Sequence, residues 1–250
     1  MNEKIDVTRV IDKLDAYLYK NDYDAACRHL LYWTAEAQNA GDLRAELSFK
    51  TELMGLYRKL GKKSEAIAAA ERSAELVEKL NLTDSVTAGT VYVDAATVYN
   101  AFSDQNKSLY FFEKALPIYE KYLTESDKRL PALYNNFALN LTALKRFTEA
   151  KAYYEKALSL GKGLADGKAD MAITYLNLAN FYEAQKGFFD GLEDISDCLS
   201  KARDLLEALQ KRDGYYAFVC EKCAGTFGYY GMTDYARELK ARAKEIYERA

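Results

Sequence analysis

Six small residues recur along this 250-residue chain at a nearly constant spacing, and that repeat constrains the fold more than any other feature. The series is Ala26, Ala66, Ser108, Ala150, Gly191 and Ala236, at intervals of 40, 42, 42, 41 and 45 residues. A fixed period of this length is typical of repeat proteins, in which each unit buries its apolar side chains against its neighbours. The sequence therefore predicts about six copies of one structural unit.

The unit is clearest in the stretch from Ala132 to Leu158. Its first half has apolar residues at i, i+3, i+4 and i+7, namely Tyr134, Phe137, Ala138 and Leu141. Its second half places small and aromatic residues on one face, namely Ala150, Tyr154 and Ala157. Both patterns predict amphipathic helices, and the polar pair Lys145-Arg146 between them predicts a turn. The expected fold is all-α, built from about six antiparallel helical hairpins.

The same positions in other repeats carry a known pattern. The matching residues are Leu53, Tyr57, Gly61 and Ala66 in the second repeat, Ala96, Tyr99, Phe112 and Ala115 in the third, and Leu178, Ala179 and Tyr182 in the fifth. On these residues the chain resembles the tetratricopeptide repeat family. Its period near 42, above the usual ~34 residues, is similar to the longer subclass of kinesin light chains and bacterial peptide-sensing regulators. The resemblance implies a right-handed α-solenoid whose first helices line a concave groove.

Turn and cap residues set the expected boundaries: we expect a turn at Gly61-Lys62, a helix cap at Ser85 and a loop from Gly161 to Gly167. We expect a single solenoid domain over residues 1–250, with repeats at roughly 3–40, 43–82, 85–124, 127–162, 167–210 and 213–250. Pro117 lies inside a helical pattern and predicts a kink or an early end near Ala115, because proline removes one backbone donor. The last helix, Thr233 to Arg249, has a polar outer face, so we expect it to cap the array and the chain to be complete at Ala250.

Charge and composition narrow the class of partner. The formal net charge is −3 and the pI is about 5.5, and lysines and arginines are scattered among acidic residues. This pattern lacks the cluster of basic residues with which proteins bind nucleic acid or an acidic membrane. The first ten residues lack the apolar core of a signal peptide, and four unevenly spaced cysteines favour a reducing compartment. We therefore expect a cytoplasmic protein.

Candidates for chemistry are few. His29 is the only histidine and lies among apolar residues, so no residue set for acid–base catalysis is evident, and we expect neither enzyme activity nor a cofactor. Cys220 and Cys223 form a CxxC that could be half of a zinc site or a redox pair. They fall where other repeats place buried apolar residues, so we expect them to be structural and, even with Cys198 nearby, to hold no metal.

The asparagines are more informative. Asn135 and Asn136 follow Tyr134, Asn177 and Asn180 follow Tyr175, and the third repeat has Asp94 at the corresponding place. In the family that the chain resembles, similar asparagines hydrogen-bond to the backbone of an extended peptide. A carboxamide has both a donor and an acceptor for that purpose. The alternative is that these asparagines hydrogen-bond neighbouring helices to one another.

Three functions remain open at this point. The first is a non-enzymatic scaffold that binds a partner protein or an extended peptide in its groove. The second is a regulator that senses a signal peptide and changes shape on binding it. The third is an enzyme of a type that the sequence does not reveal.

Overall fold

The computed structural model describes residues 5–249, and every regular element within that range is an α-helix. The helices are α1 (Val7–Tyr19), α2 (Tyr23–Ala40), α3 (Leu43–Lys59), α4 (Lys63–Lys79), α5 (Val86–Ala101), α6 (Gln105–Tyr122), α7 (Arg129–Ala143), α8 (Phe147–Gly163), α9 (Lys168–Lys186), α10 (Leu192–Glu207), α11 (Gly214–Tyr229) and α12 (Thr233–Glu248). Each odd-numbered helix packs along the even-numbered helix that follows it. The predicted all-α fold of about six antiparallel hairpins is confirmed.

The chain divides into two compact units, Met1–Tyr122 and Leu123–Ala250. In the first unit α3 contacts α5, and in the second α9 contacts both α7 and α11. The first helices of successive hairpins therefore lie against one another. We call the exposed surface of these stacked helices the first-helix face of each unit. The expectation of one continuous domain over residues 1–250 stays a prediction.

Helix ends follow local sequence signals. Within residues 5–249, six side chains that immediately precede a helix accept a hydrogen bond from a backbone N–H in its first turn, namely Asp6, Asp22, Asp42, Ser85, Asp104 and Asp213. Gly61, between α3 and α4, has φ +69°, a conformation in which a β-carbon would be strained. The turn predicted there and the cap predicted at Ser85 are both confirmed.

Two helix ends differ from the predicted ones. The early end predicted for α6 near Ala115 is wrong, because α6 runs through Pro117 to Tyr122; the kink predicted as its alternative stays a prediction. Pro117 is exposed and so is Glu113, the residue four positions earlier, so the carbonyl that loses its donor can be hydrated. The loop predicted from Gly161 to Gly167 is shorter, because α8 continues to Gly163. A β-carbon on Gly161 would lie 2.7 Å from Cγ of Met171, so glycine lets α8 and α9 approach closely.

The last hairpin matches the predicted pattern within the described residues. α12 buries Ala236, Leu239 and Ala243, and charged residues cover most of its remaining surface. Glu3, where the first repeat is expected to begin, and Ala250, where the array is expected to end, lie outside residues 5–249. No helix in this range is both long and apolar enough to cross a membrane.

A bidentate ion pair links three helices of the first unit. Nε and Nη2 of Arg72 on α4 lie 2.8 and 3.0 Å from the two carboxylate oxygens of Glu46 on α3. Gln38 on α2 donates to the same carboxylate at 2.9 Å. The hydrogen bond from Arg72 is the largest of the effects that lower the pKa of Glu46. Glu46 is therefore ionised and paired although it is buried.

A similar pair links three helices of the second unit. Nη1 and Nη2 of Arg242 on α12 lie 2.8 and 3.1 Å from the carboxylate of Glu207 on α10. Nη1 of Arg242 also lies 2.9 Å from the hydroxyl of Tyr216 on α11, and the hydroxyl of Tyr235 donates to Glu207 at 2.6 Å. Arg242 therefore bridges successive hairpins in the second unit. In the first unit Arg72 pairs with Glu46 inside one hairpin, and Gln38 links that pair to the preceding hairpin.

Candidate functional site

The predicted site residues fall in separate units. Asn135 and Asn136 lie on α7, Asn177 and Asn180 lie on α9, and all four belong to the second unit. Asp94 lies on α5 in the first unit. The four asparagines therefore define one candidate site on the first-helix face of the second unit, and Asp94 belongs to the first unit.

One asparagine pair joins two helices. Nδ2 of Asn177 donates to Oδ1 of Asn135 at 3.0 Å, and Asn135 is only 7% exposed. This bond connects α7 to α9 and satisfies a buried carbonyl that would otherwise cost free energy. These two side chains thus make the helix-to-helix contact that the sequence left open as the alternative. Asn177 is half-buried and retains its carbonyl and one N–H for a further contact.

Asn136 differs from its neighbour. Its side chain is half-buried, and its carboxamide has no hydrogen-bond partner among residues 5–249. It lines a depression of about 80 Å³ together with Asn135, and α9 and α11 contribute Asp170, Thr174 and Lys222 to the same depression. Three first helices therefore place polar side chains around one concavity, and the carboxamide of Asn136 is available within it.

Asn180 lies further along α9, near the end of α11. Its Oδ1 accepts a hydrogen bond from the hydroxyl of Tyr230 at 3.0 Å, and the same hydroxyl lies 2.8 Å from Oε2 of Glu183. Burial, and then the carboxylate of Glu183, raises the pKa of Tyr230, so the phenol stays protonated. The hydroxyl of Tyr229 donates to the other oxygen of Glu183 at 2.8 Å. Asn180 is thus part of a network at this end of the face.

The sequence analysis missed an aromatic pair beside the depression. The rings of Tyr215 and Phe218 on α11 stack with their centroids 6.2 Å apart, and the two residues are 48% and 41% exposed. The hydroxyl of Tyr215 donates to Oδ1 of Asp170 at 2.5 Å, and the ammonium of Lys222 lies 5.9 Å from the ring centre of Phe218. The signal in the sequence is an aromatic pair at i and i+3, outside the stripe that the buried residues of this helix occupy.

Asp94 has a different electrostatic environment. Its carboxyl is half-buried and forms no hydrogen bond within the described part of the chain. The pKa of Asp94 is raised to about 7, mainly by burial; the charge of Arg58 opposes this effect and that of Glu52 adds to it. This face of the first unit therefore carries a carboxyl that titrates near neutral pH, where the second unit carries neutral carboxamides.

The remaining candidates are packed in the interior. Nε2 of His29 lies 2.9 Å from the carbonyl oxygen of Val10, and its ring meets that of Tyr17 edge to face. Cys198, Cys220 and Cys223 are buried and reduced, and burial raises the pKa of Cys198 and of Cys223 to about 12. Within residues 5–249, histidine, cysteine and acidic side chains form no group of three that could hold a metal ion. The prediction that the CxxC is structural agrees with this packing.

Comparison with known proteins shows that two stretches of the chain are similar to a known repeat family. Residues 51–121 and residues 131–160 match models described as tetratricopeptide repeat. A curated relative, Protein KINESIN LIGHT CHAIN-RELATED 3 of Arabidopsis thaliana, is 23% identical over 185 residues, which are 70% of this chain and 28% of the relative. The chain thus spans little more than a quarter of that relative's length.

Solved structures share the fold. BtubC (BKLC) from P. vanneervenii is 20% identical, with a TM-score of 0.55 over 97% of this chain and 91% of that one. The apo form of RapI is 12% identical, with a TM-score of 0.66 over 98% of this chain and 85% of that one. Identities this low establish a common helical architecture, and the function has to be argued from the site.

Proposed function

We propose that this chain, whose helical hairpins include tetratricopeptide repeats, binds an extended peptide segment of a partner protein on the first-helix face of its second unit. One observation carries the proposal. The carboxamide of Asn136 has no partner among residues 5–249 and lies in a depression to which three first helices contribute. A half-buried carboxamide that bonds no other side chain can exchange its water for a backbone group of a ligand.

The chemistry of the depression suits a peptide backbone. The carboxamide of Asn136 can donate to a backbone carbonyl and accept from a backbone N–H of one peptide group. The neighbouring Nδ2 of Asn135 is not needed for the bond with Asn177, which uses only Oδ1 of Asn135. Two adjacent side chains thus offer donors and an acceptor to an extended chain, the arrangement in which backbone bonds supply affinity.

The adjoining aromatic pair suits apolar side chains of the same peptide. Tyr215 and Phe218 present stacked rings, and aromatic rings that are partly exposed are common anchors in recognition surfaces. Asp170 and Lys222 border the depression with opposite charges. We therefore expect a peptide with an apolar side chain close to the backbone group that Asn136 binds, and no strong preference for net charge.

The proposal is for binding without catalysis, in the cytoplasm. The only histidine bonds a backbone carbonyl, and the thiols with the most strongly raised pKa values, Cys198 and Cys223, are protonated at neutral pH. A net charge of −3 gives no general attraction for nucleic acid or for an anionic membrane. The fitting partner is therefore a protein segment.

The test begins with the full chain as bait in extract from its source cells, followed by mass spectrometry. The bound protein's interacting segment is then synthesised and titrated by calorimetry. Replacing Asn136 by alanine should weaken affinity about tenfold, because a lost hydrogen bond to a buried ligand group costs ~1–3 kcal/mol. Asn106→Ala, an exposed asparagine on α6 of the other unit, is the matched control and should bind normally. Equal affinity for both variants would refute the site.

A further inference from the structure

The turn from α9 to α10 exposes apolar side chains that the peptide site does not use. Phe188 is 42% exposed, Phe189 is 85% exposed and Leu192 is 50% exposed. The ring of Phe188 stacks on that of Tyr230 with centroids 6.4 Å apart, and Phe189 meets Phe188 edge to face at 5.5 Å. Phe189 is therefore held by another ring and presented to solvent. Contiguous exposed apolar groups of this kind mark interaction sites more often than single exposed residues do.

Two depressions lie on either side of Leu192. The first, of about 330 Å³, has a mixed lining, with apolar side chains from Phe188, Ile195, Leu199, Tyr230 and Met232 and the guanidinium-bearing side chain of Arg203. The second, wider one borders Phe189 and the acidic residues Asp190, Glu193 and Asp197. Leu192, Ser196 and Ser200 line both. These three residues follow one another at i, i+4 and i+8 on α10, and the small serine side chains leave a shallow groove along the helix.

The border of this groove carries two carboxylates that form no ion pair within residues 5–249. Asp194 pairs with Lys186 at 2.6 Å and Asp197 pairs with Lys201 at 2.7 Å. Asp190 and Glu193 form no ion pair within the described part of the chain, and both are exposed, although the pKa of Lys186, which is raised mainly by the hydrogen bond to Asp194, is raised further by the charge of Glu193. These two carboxylates stand next to the depression, and Arg203 in its lining lies 3.9 Å from Asp204. A ligand with lysine or arginine beside an apolar group would complement both features.

We propose that this groove on α10, defined by Phe188, Phe189, Leu192, Ser196 and Ser200 and bordered by Asp190 and Glu193, docks a basic segment of a partner protein. An apolar side chain of that segment enters the depression beside Phe188 and Met232, and its basic residues meet Asp190 and Glu193. The surface lies on the turn and the second helix of the fifth hairpin, whereas the peptide site lies on first helices. The chain then has two binding surfaces with different preferences.

The test uses the full chain and a fluorescein-labelled hexapeptide with a central leucine and phenylalanine and two lysines at each end. Fluorescence anisotropy should show saturable binding that weakens at least tenfold in the double variant Phe189→Ser with Leu192→Ser. Both side chains are at least half exposed, so the fold should be unaffected. The matched control replaces Leu31 and Tyr32, which are 49% and 59% exposed in the first unit, by serine and should bind like the parent protein.

Charge variants and a charge-reversed peptide distinguish docking in this groove from non-specific contact and from self-association. Asp190→Asn with Glu193→Gln should weaken binding several-fold, and a peptide with glutamate in place of lysine should not bind. Asn136→Ala should leave the affinity for this hexapeptide unchanged. Failure of the groove proposal would therefore not count against the peptide site. An equal loss of affinity in the control variant, in which Leu31 and Tyr32 are replaced by serine, would show non-specific contact and overturn the proposal. Sedimentation that shows a dimer dispersed by Phe189→Ser with Leu192→Ser would also overturn it, because a second copy would then be the occupant.

Discussion

The ion pairs of the two units differ in which partner is buried. In the first unit the side chain of Glu46 is 2% exposed and that of Arg72 is 29% exposed. In the second unit the order is reversed, since Arg242 is 17% exposed and Glu207 is 41% exposed. The hydrogen-bond distances of the two pairs are almost the same. Loss of the arginine would leave a buried carboxylate in the first unit and a hydrated carboxylate in the second. The contribution of an ion pair to stability thus depends on the partner that remains.

The first-helix faces differ as well. The first unit presents the carboxyl of Asp94, with a pKa near 7, and the second presents the carboxamides of Asn136 and Asn177, which do not titrate. The buried alanine and aromatic residues of both units form similar hairpins. The scaffold is therefore common to both units, and the exposed chemistry of the first helices distinguishes one binding surface from the other.

The largest expected effect is on the ion pairs. Arg72→Ala should lower the free energy of unfolding by about 3 kcal/mol, because it leaves Glu46 buried with only Gln38 as a partner. Arg242→Ala should cost only about 1 kcal/mol, because Glu207 keeps water and Tyr235. Denaturation followed by the fluorescence of Trp33, the single tryptophan, reports the first unit, and circular dichroism reports both.

The same comparison predicts a pH dependence. The pKa of Glu46 is lowered in the folded state, so its contribution to stability is present above the unfolded pKa of about 4.5 and is lost as the pH falls through the lower folded value. Arg72→Ala should abolish that acid-side loss. Equal destabilisation by Arg72→Ala and Arg242→Ala at pH 7 would show that burial of the remaining partner does not decide the effect.

A smaller effect is expected at Asp94. Because its folded pKa is raised to about 7, the folded state binds its proton more tightly than the unfolded state, and stability falls as the pH rises from about 4 to about 7. Asp94→Asn should therefore raise the unfolding free energy at pH 8 and change it little at pH 4. Arg58 and Glu52 are the charged groups that act on this carboxyl. Parallel pH profiles of the two proteins, again followed by Trp33, would contradict the assignment.

The smallest effect concerns the buried thiols. Cys223 is 1% exposed in the second unit and Cys27 is 7% exposed in the first. Cys223→Ala should cost about 1 kcal/mol and Cys27→Ala less, because the more enclosed site collapses less around the lost sulfur atom. Thiol labelling at pH 8 should be slow in the folded protein, and elemental analysis of protein purified without chelator should find no stoichiometric zinc. About one zinc per chain would show that the CxxC is a ligand pair.

The sequence predicted the hairpins well because their signals are local. A period near 41, apolar stripes, and cap residues such as Ser85 and Gly61 all act within one or two helices. The sequence alone could not show whether α6 ends before Pro117. The helix can continue where water reaches the carbonyl that loses its donor, and that depends on the packed structure.

The site was less predictable for a similar reason. Asn135, Asn136 and Asn177 all appear in the pattern, but which two of them bond to each other depends on the register between α7 and α9. The role of Tyr215 and Phe218 beside them depends on the contact between α9 and α11, to which no periodicity within one helix points. Long-range register was thus the missing information at both places.

The central claim is that Asn136 binds a ligand while Asn177 holds two helices together. The direct measurement is the affinity and melting temperature of Asn136→Ala and Asn177→Ala, each as a single variant, with the peptide identified by pull-down. Asn136→Ala should bind about tenfold more weakly with an unchanged melting temperature. Asn177→Ala should melt at a lower temperature, because Oδ1 of Asn135 is then buried without a donor. Unchanged affinity in Asn136→Ala, or a melting temperature that falls as much as in Asn177→Ala, would contradict the account.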